Sequence, residues 1–182
     1  WKLPELMSFH IIGQPGVFMR REVLEQAGYL DLSYDYLLDV QLWIRMAAIA
    51  EPFYVPGAVW AAARMHSGAK NMAQAGAFGP EAFRLAKWVC EDQRFYPLST
   101  KLFNKIWAGA YRLNAFYLVE AGKYKQALRS YSKMARLAPS FVPGVAKRMA
   151  YAALSALGLQ NLRQAYAGWR LKQYEKKRGS HD

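Results

Sequence analysis

The second half of the chain carries apolar residues at helical spacing almost without interruption. Prolines at 80, 97, 139 and 143 and glycines at 122 and 158 divide this stretch into segments. The pattern predicts five helices, over residues 81–95, 99–120, 123–137, 144–157 and 160–177. We therefore expect residues 80–182 to form an all-α helical bundle.

The first half alternates short apolar runs with amphipathic segments. Its apolar runs suit three strands, over residues 17–19, 53–55 and 58–64. Residues 20–27 have helical spacing that ends at Gly28, and Asp39 opens a second helix. Strands that alternate with helices predict α/β character for residues 1–79, in a chain that is mostly helical overall.

Several short motifs follow one another between residues 14 and 66. They are Gln14-Pro15 before an apolar run and the pair Arg20-Arg21, then Gly28-x-x-Asp31, Asp39 opening a helix with Trp43-x-Arg45, and finally Arg64-x-His66. In this order they resemble the acceptor-side half of the catalytic domain in family 2 glycosyltransferases, the inverting enzymes with the GT-A fold. The resemblance covers about the first 70 residues. It implies that residues 1–79 are a truncated α/β remnant of a GT-A-type domain, followed by the helical region.

The resemblance assigns the general base to Asp39. Inverting transfer needs one carboxylate, which takes the proton of the acceptor hydroxyl as that oxygen attacks the anomeric carbon. Residue type alone predicts a helix N-cap at Asp39, and the two roles are compatible. A position at a helix N-terminus is expected to lower the pKa of this carboxylate. Leu38 stands before it, where many relatives carry a second acid.

The resemblance also gives roles to six other residues, Gln14, Asp31, Trp43, Arg45, Arg64 and His66. Arg64 and His66 alternate on an extended segment and would meet the leaving diphosphate or its metal. Gln14 and Trp43 would shape the acceptor side, with Trp43 packed beneath it. Asp31 is expected to fix the turn after Gly28, and Arg45 to brace the loop by an ion pair. Without the surrounding pattern, Arg64 and His66 would be read as solvated surface residues.

A glycosyltransferase of this kind would use a nucleotide-sugar donor, a saccharide or lipid-linked acceptor, and a divalent cation, Mg²⁺ or Mn²⁺. The 182 residues contain no Asp-x-Asp motif and no donor-binding βαβ region, and one cysteine with three scattered histidines cannot build a zinc site. Trp1 opens the sequence without a methionine, which indicates a piece of a longer protein. We expect this piece alone to bind no metal and to be inactive.

The charge is distributed unevenly along the chain. Of the net charge of +12, residues 1–100 contribute 9 basic and 10 acidic side chains, and residues 101–182 contribute 16 basic and 3 acidic ones. A basic half favours phosphate-bearing partners, and residues 144–178 suit an interfacial helix pair on an anionic membrane surface. The alternative is a bundle with a basic surface. Nucleic acid is not expected as a partner, because no binding motif accompanies the charge.

The cysteine content bears on the compartment. Cys90 is the single cysteine, and it favours a reducing environment. The expected location is therefore cytoplasmic. The basic helices leave open whether the chain also attaches to the inner face of the membrane.

One part of the helical half has the spacing of a tetratricopeptide helix pair. Its bulky and small residues are Tyr111, Ala115, Leu118, Gly122, Tyr124, Ala127, Tyr131 and Pro139. No clean second copy follows at a 34-residue offset, and a lone repeat cannot bury its own face. The simpler interpretation is an antiparallel helix pair with a tight glycine turn. The competing function is therefore a non-catalytic helical scaffold that binds a partner.

Overall fold

A computed structural model describes residues 1–57, 59–62 and 74–159 of the chain. Within these ranges the α-helices are α1 (Leu3–Met7), α2 (Arg21–Ala27), α3 (Leu38–Ala47), α4 (Phe78–Glu91), α5 (Leu98–Glu120), α6 (Tyr124–Leu137) and α7 (Val142–Ala156). Short 3-10 helices cover Gln14–Gly16, Ala75–Ala77, Gln93–Phe95 and Pro139–Phe141.

The predicted helices of the second half are confirmed up to residue 156. Their ends shift by no more than four residues, and the helix predicted over 160–177 lies outside the described residues. The prolines and glycines that delimited the prediction stand at or near the observed ends, since proline cannot continue a helix and glycine closes one readily. The expectation of a mostly helical chain therefore holds.

The predicted α/β character of residues 1–79 is wrong. No strand occurs in the part of the chain that the structure describes, and segments 17–19, 53–55 and 59–62 have no ladder partner there. Phe18 and Phe53 are 82% and 87% exposed. A strand exists only when its N–H and C=O groups pair with a neighbour, so apolar β-formers alone do not make one.

Helix α5 lies between two hydrophobic cores. One set of its apolar residues belongs to a core that also contains residues of α1, α3 and α4, and another set belongs to a core that also contains residues of α6 and α7. The first set is Ile106, Ala110 and Leu113, and the second is Ala108, Ala115, Leu118 and Val119. Helix α5 therefore contributes side chains to both hydrophobic cores of the described structure.

Helix α1 approaches α5 closely at Gly109. A Cβ atom on Gly109 would stand 2.3 Å from the backbone oxygen of Ser8. Three residues later, Arg112 donates a hydrogen bond to the carbonyl oxygen of Phe9 at 2.9 Å. Phe9 has a φ of 62°, a conformation that costs energy for a bulky residue. Glycine and arginine on one face of α5 thus fix the end of α1.

The connection between α5 and α6 is a tight glycine turn. Gly122 has a φ of 71°, and the N–H of Lys123 donates to the carbonyl oxygen of Leu118 at 2.8 Å. Between the two helices, the side-chain amide of Asn114 donates to the hydroxyl of Ser130 at 2.7 Å. An antiparallel helix pair results, a feature that both interpretations of the tetratricopeptide-like spacing share.

The approach of α1 to α5 can be tested by adding a methyl group. We expect Gly109→Ala to lower the free energy of unfolding by about 1–3 kcal/mol, because the Cβ meets a backbone oxygen that no side-chain rotation can move. Gly144→Ala in α7 is the control, since, apart from its chain neighbours and the backbone of its own helix, no atom of the described residues lies within 4 Å of an added Cβ. Ala there should leave the stability unchanged or raise it by up to about 1 kcal/mol. Urea unfolding measures both, and equal effects would contradict the close approach.

Candidate functional site

Asp39 lies in the first turn of α3. The helix begins at Leu38, so Asp39 is its second residue and Leu37 occupies the N-cap position, which corrects the predicted N-cap role. The Oδ1 atom of Asp39 accepts a hydrogen bond from the N–H of Val40 at 2.8 Å. The side chain is half-buried.

Burial raises the pKa of Asp39 above its ordinary value of 3.8. The backbone N–H groups of Val40 and of Asp39 itself act in the opposite direction, but the loss of hydration is the larger effect. The expected lowering by the helix N-terminus is therefore wrong in its net sign. A carboxylate whose pKa rises towards neutrality is a stronger base than a fully hydrated one.

The loop that enters α3 is held by a carboxylate from α4. Glu81 accepts hydrogen bonds from the backbone N–H groups of Asp35, Tyr36 and Leu37 at 2.6, 2.8 and 2.9 Å. Charge-assisted bonds of this kind are about twice as strong as neutral ones. They fix the chain immediately before Asp39. Sequence reasoning missed Glu81, because an acid in the first turn of a helix gives no sign of a partner 45 positions away.

Arg84 supports the same loop from the next turn of α4. Its guanidinium pairs with Glu81 at 3.5 Å and donates to the carbonyl oxygen of Ser33 at 2.6 Å. The guanidinium carbon also lies 3.9 Å from the centre of the Tyr34 ring. Two residues of α4 therefore hold both ends of the segment from Ser33 to Leu37.

A row of aromatic rings runs from this loop towards α5. The ring of Tyr36 lies 4.8 Å from that of Phe78, which stacks on Tyr117 at 3.9 Å between centroids, and Phe116 follows at 5.1 Å. Burial raises the pKa of Tyr117 to about 12, and the negative charges of Asp39 and Glu120 add to the shift. Asp39 is therefore within electrostatic reach of α5, and Tyr117 keeps its proton at neutral pH.

Arg45 braces the loop after α2 through carbonyl groups. The buried guanidinium donates to the carbonyl oxygens of Ala27, of Gly28 at 2.8 Å and of Tyr29 at 2.7 Å. Among the described residues no ion pair of Arg45 is found, so the expected ion pair is replaced by capping of the C-terminus of α2. Gly28 adopts a φ of 76° at this point.

Asp31 closes the turn that follows. Its Oδ1 atom accepts from the N–H of Ser33 at 3.0 Å, and its backbone oxygen accepts from the N–H of Tyr34 at 3.1 Å. Hydrogen bonds from the backbone and side chain of Ser33 lower the pKa of Asp31. The two nearby acids, Asp31 and Asp39, thus have pKa values shifted in opposite directions.

The other predicted site residues are not all gathered around Asp39. Trp43 follows it by one helical turn and is only 6% exposed, within the first core, so its ring lies beneath the surface. Gln14 is exposed in the 3-10 helix Gln14–Gly16, and no hydrogen bond joins it to Asp39. Arg64 and His66 lie outside the described residues.

Asp39 does not line either of two cavities found among the described residues. One of about 500 Å³ lies between α4 and α5 beside Cys90, and one of about 300 Å³ lies between α5, α6 and α7. Within residues 1–57, 59–62 and 74–159, no group of three or more His, Cys, Asp or Glu side chains could hold a metal ion.

Comparisons with family models, with curated proteins and with solved structures found no significant match to this chain. Functional inference therefore depends on the residues and their geometry.

The hold of Glu81 on the entry loop predicts a stability effect. We expect Glu81→Gln to lower the free energy of unfolding by about 1–3 kcal/mol, because three N–H groups lose a charged acceptor. The matched control is Glu91→Gln on the same helix. That carboxylate is exposed and, among the described residues, its one ion pair is with Lys87 at 3.8 Å, so its loss should cost less than about 0.5 kcal/mol. Similar losses in urea unfolding would show that Glu81 has no special role.

The raised pKa of Asp39 predicts how stability varies with pH. Just above pH 3.8 the native state holds more protons at this site than the unfolded chain, so its contribution to the free energy of unfolding falls as the pH rises. Asp39→Asn, which cannot titrate, should therefore gain stability relative to the wild type between pH 3.8 and neutrality.

Asp31→Asn is the control of opposite sign for this measurement. The lowered pKa of Asp31 stabilises the native state above pH 3.8, and this contribution is lost as the pH falls through the folded-state pKa. Asp31→Asn should therefore lose stability relative to the wild type at neutral pH. Unfolding curves at several pH values that showed the same sign for both variants would contradict the burial of Asp39.

Proposed function

We propose that this chain supplies the acceptor-side carboxylate of an inverting glycosyltransferase, with Asp39 as the general base. The observation that carries the proposal is the half-buried Asp39 in the first turn of α3, with its raised pKa and its entry loop clamped by Glu81. The order of the motifs from Gln14 to His66 supplies the reaction class.

In the proposed reaction the carboxylate of Asp39 accepts the proton of an acceptor hydroxyl. The oxygen attacks the anomeric carbon from the face opposite the diphosphate. A new C–O bond forms while the bond to the diphosphate oxygen breaks, and the configuration at that carbon inverts. General-base assistance of this kind contributes about 10²–10⁴ in rate.

Neighbouring residues position this carboxylate in the proposal. Glu81 and Arg84 hold the loop before it, and Arg45 holds the loop after α2. The buried ring of Trp43 fills the space beneath the same face of α3. The reacting groups are proposed to meet at the surface beside α3, and Gln14, which is exposed, is assigned to the acceptor side.

The donor side belongs to the full-length enzyme in this proposal. Arg64 and His66 are assigned to the vicinity of the diphosphate. The described residues offer no ligand set that fits a divalent cation, so no step is attributed to Mg²⁺ or Mn²⁺ here. The donor is proposed to be a nucleotide sugar and the acceptor a saccharide or lipid-linked hydroxyl.

A peripheral position on an anionic membrane surface is proposed for residues 144–178. Within the described helices, none combines the length and the apolar content needed to cross a bilayer. Leu157, which directly follows α7, is 76% exposed. Lys147, which is also exposed, lies within α7. Apolar side chains together with basic ones are what binding to an anionic interface requires.

The assignment of the base can be tested in the full-length protein. We expect Asp39→Asn to lower kcat by about 10²–10⁴ with little change in KM, because only the proton acceptor is removed. Release of nucleoside diphosphate across a panel of nucleotide sugars measures the rate. The control is Asp35→Asn. Asp35 is an exposed acid of the loop that enters α3, and its loss should leave the rate close to that of the wild type.

Two results would overturn this proposal. A wild-type rate for Asp39→Asn would remove the base assignment. If the full-length wild-type protein transferred sugar from no donor of the panel, the competing scaffold function would be favoured instead.

A further inference from the structure

The cavity between α5, α6 and α7 has a lining of one sign of charge. Its volume is about 300 Å³, and three cationic side chains, Arg112, Lys147 and Arg148, line it. The rings of Phe116 and Tyr131 also line it, and no carboxylate does so among the described residues. A concave site with convergent cations attracts anions, because the low-dielectric walls focus the potential.

Arg112 is a half-buried cation held by neutral groups. Its guanidinium donates to the carbonyl oxygen of Phe9 at 2.9 Å and lies 4.8 Å from the ring centre of Phe141. No ion pair with a carboxylate is found for it in the described part of the chain. Burial accordingly lowers the pKa of Arg112. An anion in the cavity would compensate this buried charge.

Arg148 retains an unused hydrogen-bond donor. Its guanidinium pairs with Glu120 and lies 3.7 Å above the centre of the Phe116 ring. Its Nε–H is buried and finds no acceptor among the described residues. Buried donors are rarely left unsatisfied, so this N–H indicates an acceptor beyond the described residues, and an anion in the cavity is one that its position allows.

We propose that this cavity binds the phosphate group of an organic phosphate monoester. Because Glu120 neutralises Arg148, the three cationic side chains leave two net positive charges, which match a dianion with three acceptor oxygens better than a singly charged carboxylate. The volume exceeds what a phosphate group alone needs, and the apolar wall of Leu113, Phe116 and Val145 suits the carbon part of the molecule. The proposal does not depend on the role of Asp39.

The direct test is a calorimetric titration of the 182-residue chain with phenyl phosphate at constant ionic strength. We expect saturable binding at one site, which Lys147→Gln weakens about five- to tenfold and Lys147→Arg largely preserves. Lys147 is chosen because it is exposed, whereas Arg112 also holds the end of α1. Circular dichroism verifies that each variant is folded.

The matched control is Lys125→Gln. Lys125 is an exposed lysine of α6 that does not line the cavity, so this variant has the same net charge as Lys147→Gln. It should bind phenyl phosphate as the wild type does. Absence of saturable binding to the folded wild type, or equal weakening by Lys125→Gln and Lys147→Gln, would overturn the proposal.

A second arm distinguishes a lipid headgroup from a soluble phosphate ester. Vesicles of phosphatidylcholine with phosphatidic acid are sedimented with the chain, in the presence and absence of phenyl phosphate. Sedimentation that phenyl phosphate reverses supports the cavity and assigns it to a lipid phosphate. Binding of phenyl phosphate without sedimentation supports it and assigns it to a soluble ester. A further outcome is that the chain sediments equally well with phenyl phosphate present and with Lys147→Gln. That result would overturn the assignment of the cavity to a lipid phosphate.

Discussion

The packing of α5 against two cores constrains the rest of the structure. Its apolar side chains belong to one core shared with α1, α3 and α4 and to a second core shared with α6 and α7, so no residue from 106 to 119 is exposed. The close approach at Gly109 and the capping of Phe9 by Arg112 then set where α1 ends. A change in α5 would therefore be felt at both the α3 side and the α7 side, because tightly packed interiors relax only partly.

The charged groups that stabilise the loop before Asp39 are Glu81 and Arg84, not Asp39. Burial works against the charged form of this carboxylate, whereas Glu81 receives three backbone N–H groups and the pair with Arg84. An ionised group that is poorly compensated costs stability. The contrast with Asp31, whose charge is stabilised by Ser33, shows that two acids eight positions apart have different environments.

The sequence was sufficient for the helices from residue 98 to 156 because each boundary is local. Proline and glycine act within one turn, and helical spacing is a property of neighbouring residues. It was insufficient for the strands, since a strand depends on a partner that no local pattern specifies, and Phe18 found none in the described residues. The Gly28 turn is likewise local, and the sequence indicates it. The hydrogen bonds of Glu81 to a loop distant in sequence are not local, and the sequence gives no sign of them.

The candidate site shows the same limit. That Asp39 stands at the start of a helix follows from the sequence, but the net direction of its pKa shift depends on how deeply other elements cover it. Arg45 was expected to brace a loop by an ion pair, yet its guanidinium donates to the side chain of Gln41 and to three backbone carbonyl groups that become available only when α2 ends against α3. The cationic lining of the cavity combines residues from two helices that the sequence places more than 30 positions apart.

The row of rings from Tyr36 through Phe78 and Tyr117 to Phe116 has a spectroscopic consequence. Aromatic side chains held at fixed mutual angles absorb as an asymmetric array, whereas freely rotating ones do not, so their near-ultraviolet circular dichroism depends on native packing. Tyr36 belongs to the loop, Phe78 to α4, and Tyr117 and Phe116 to α5. These rings thus contribute to an intrinsic optical signal of whether the loop, α4 and α5 are docked, without any attached label.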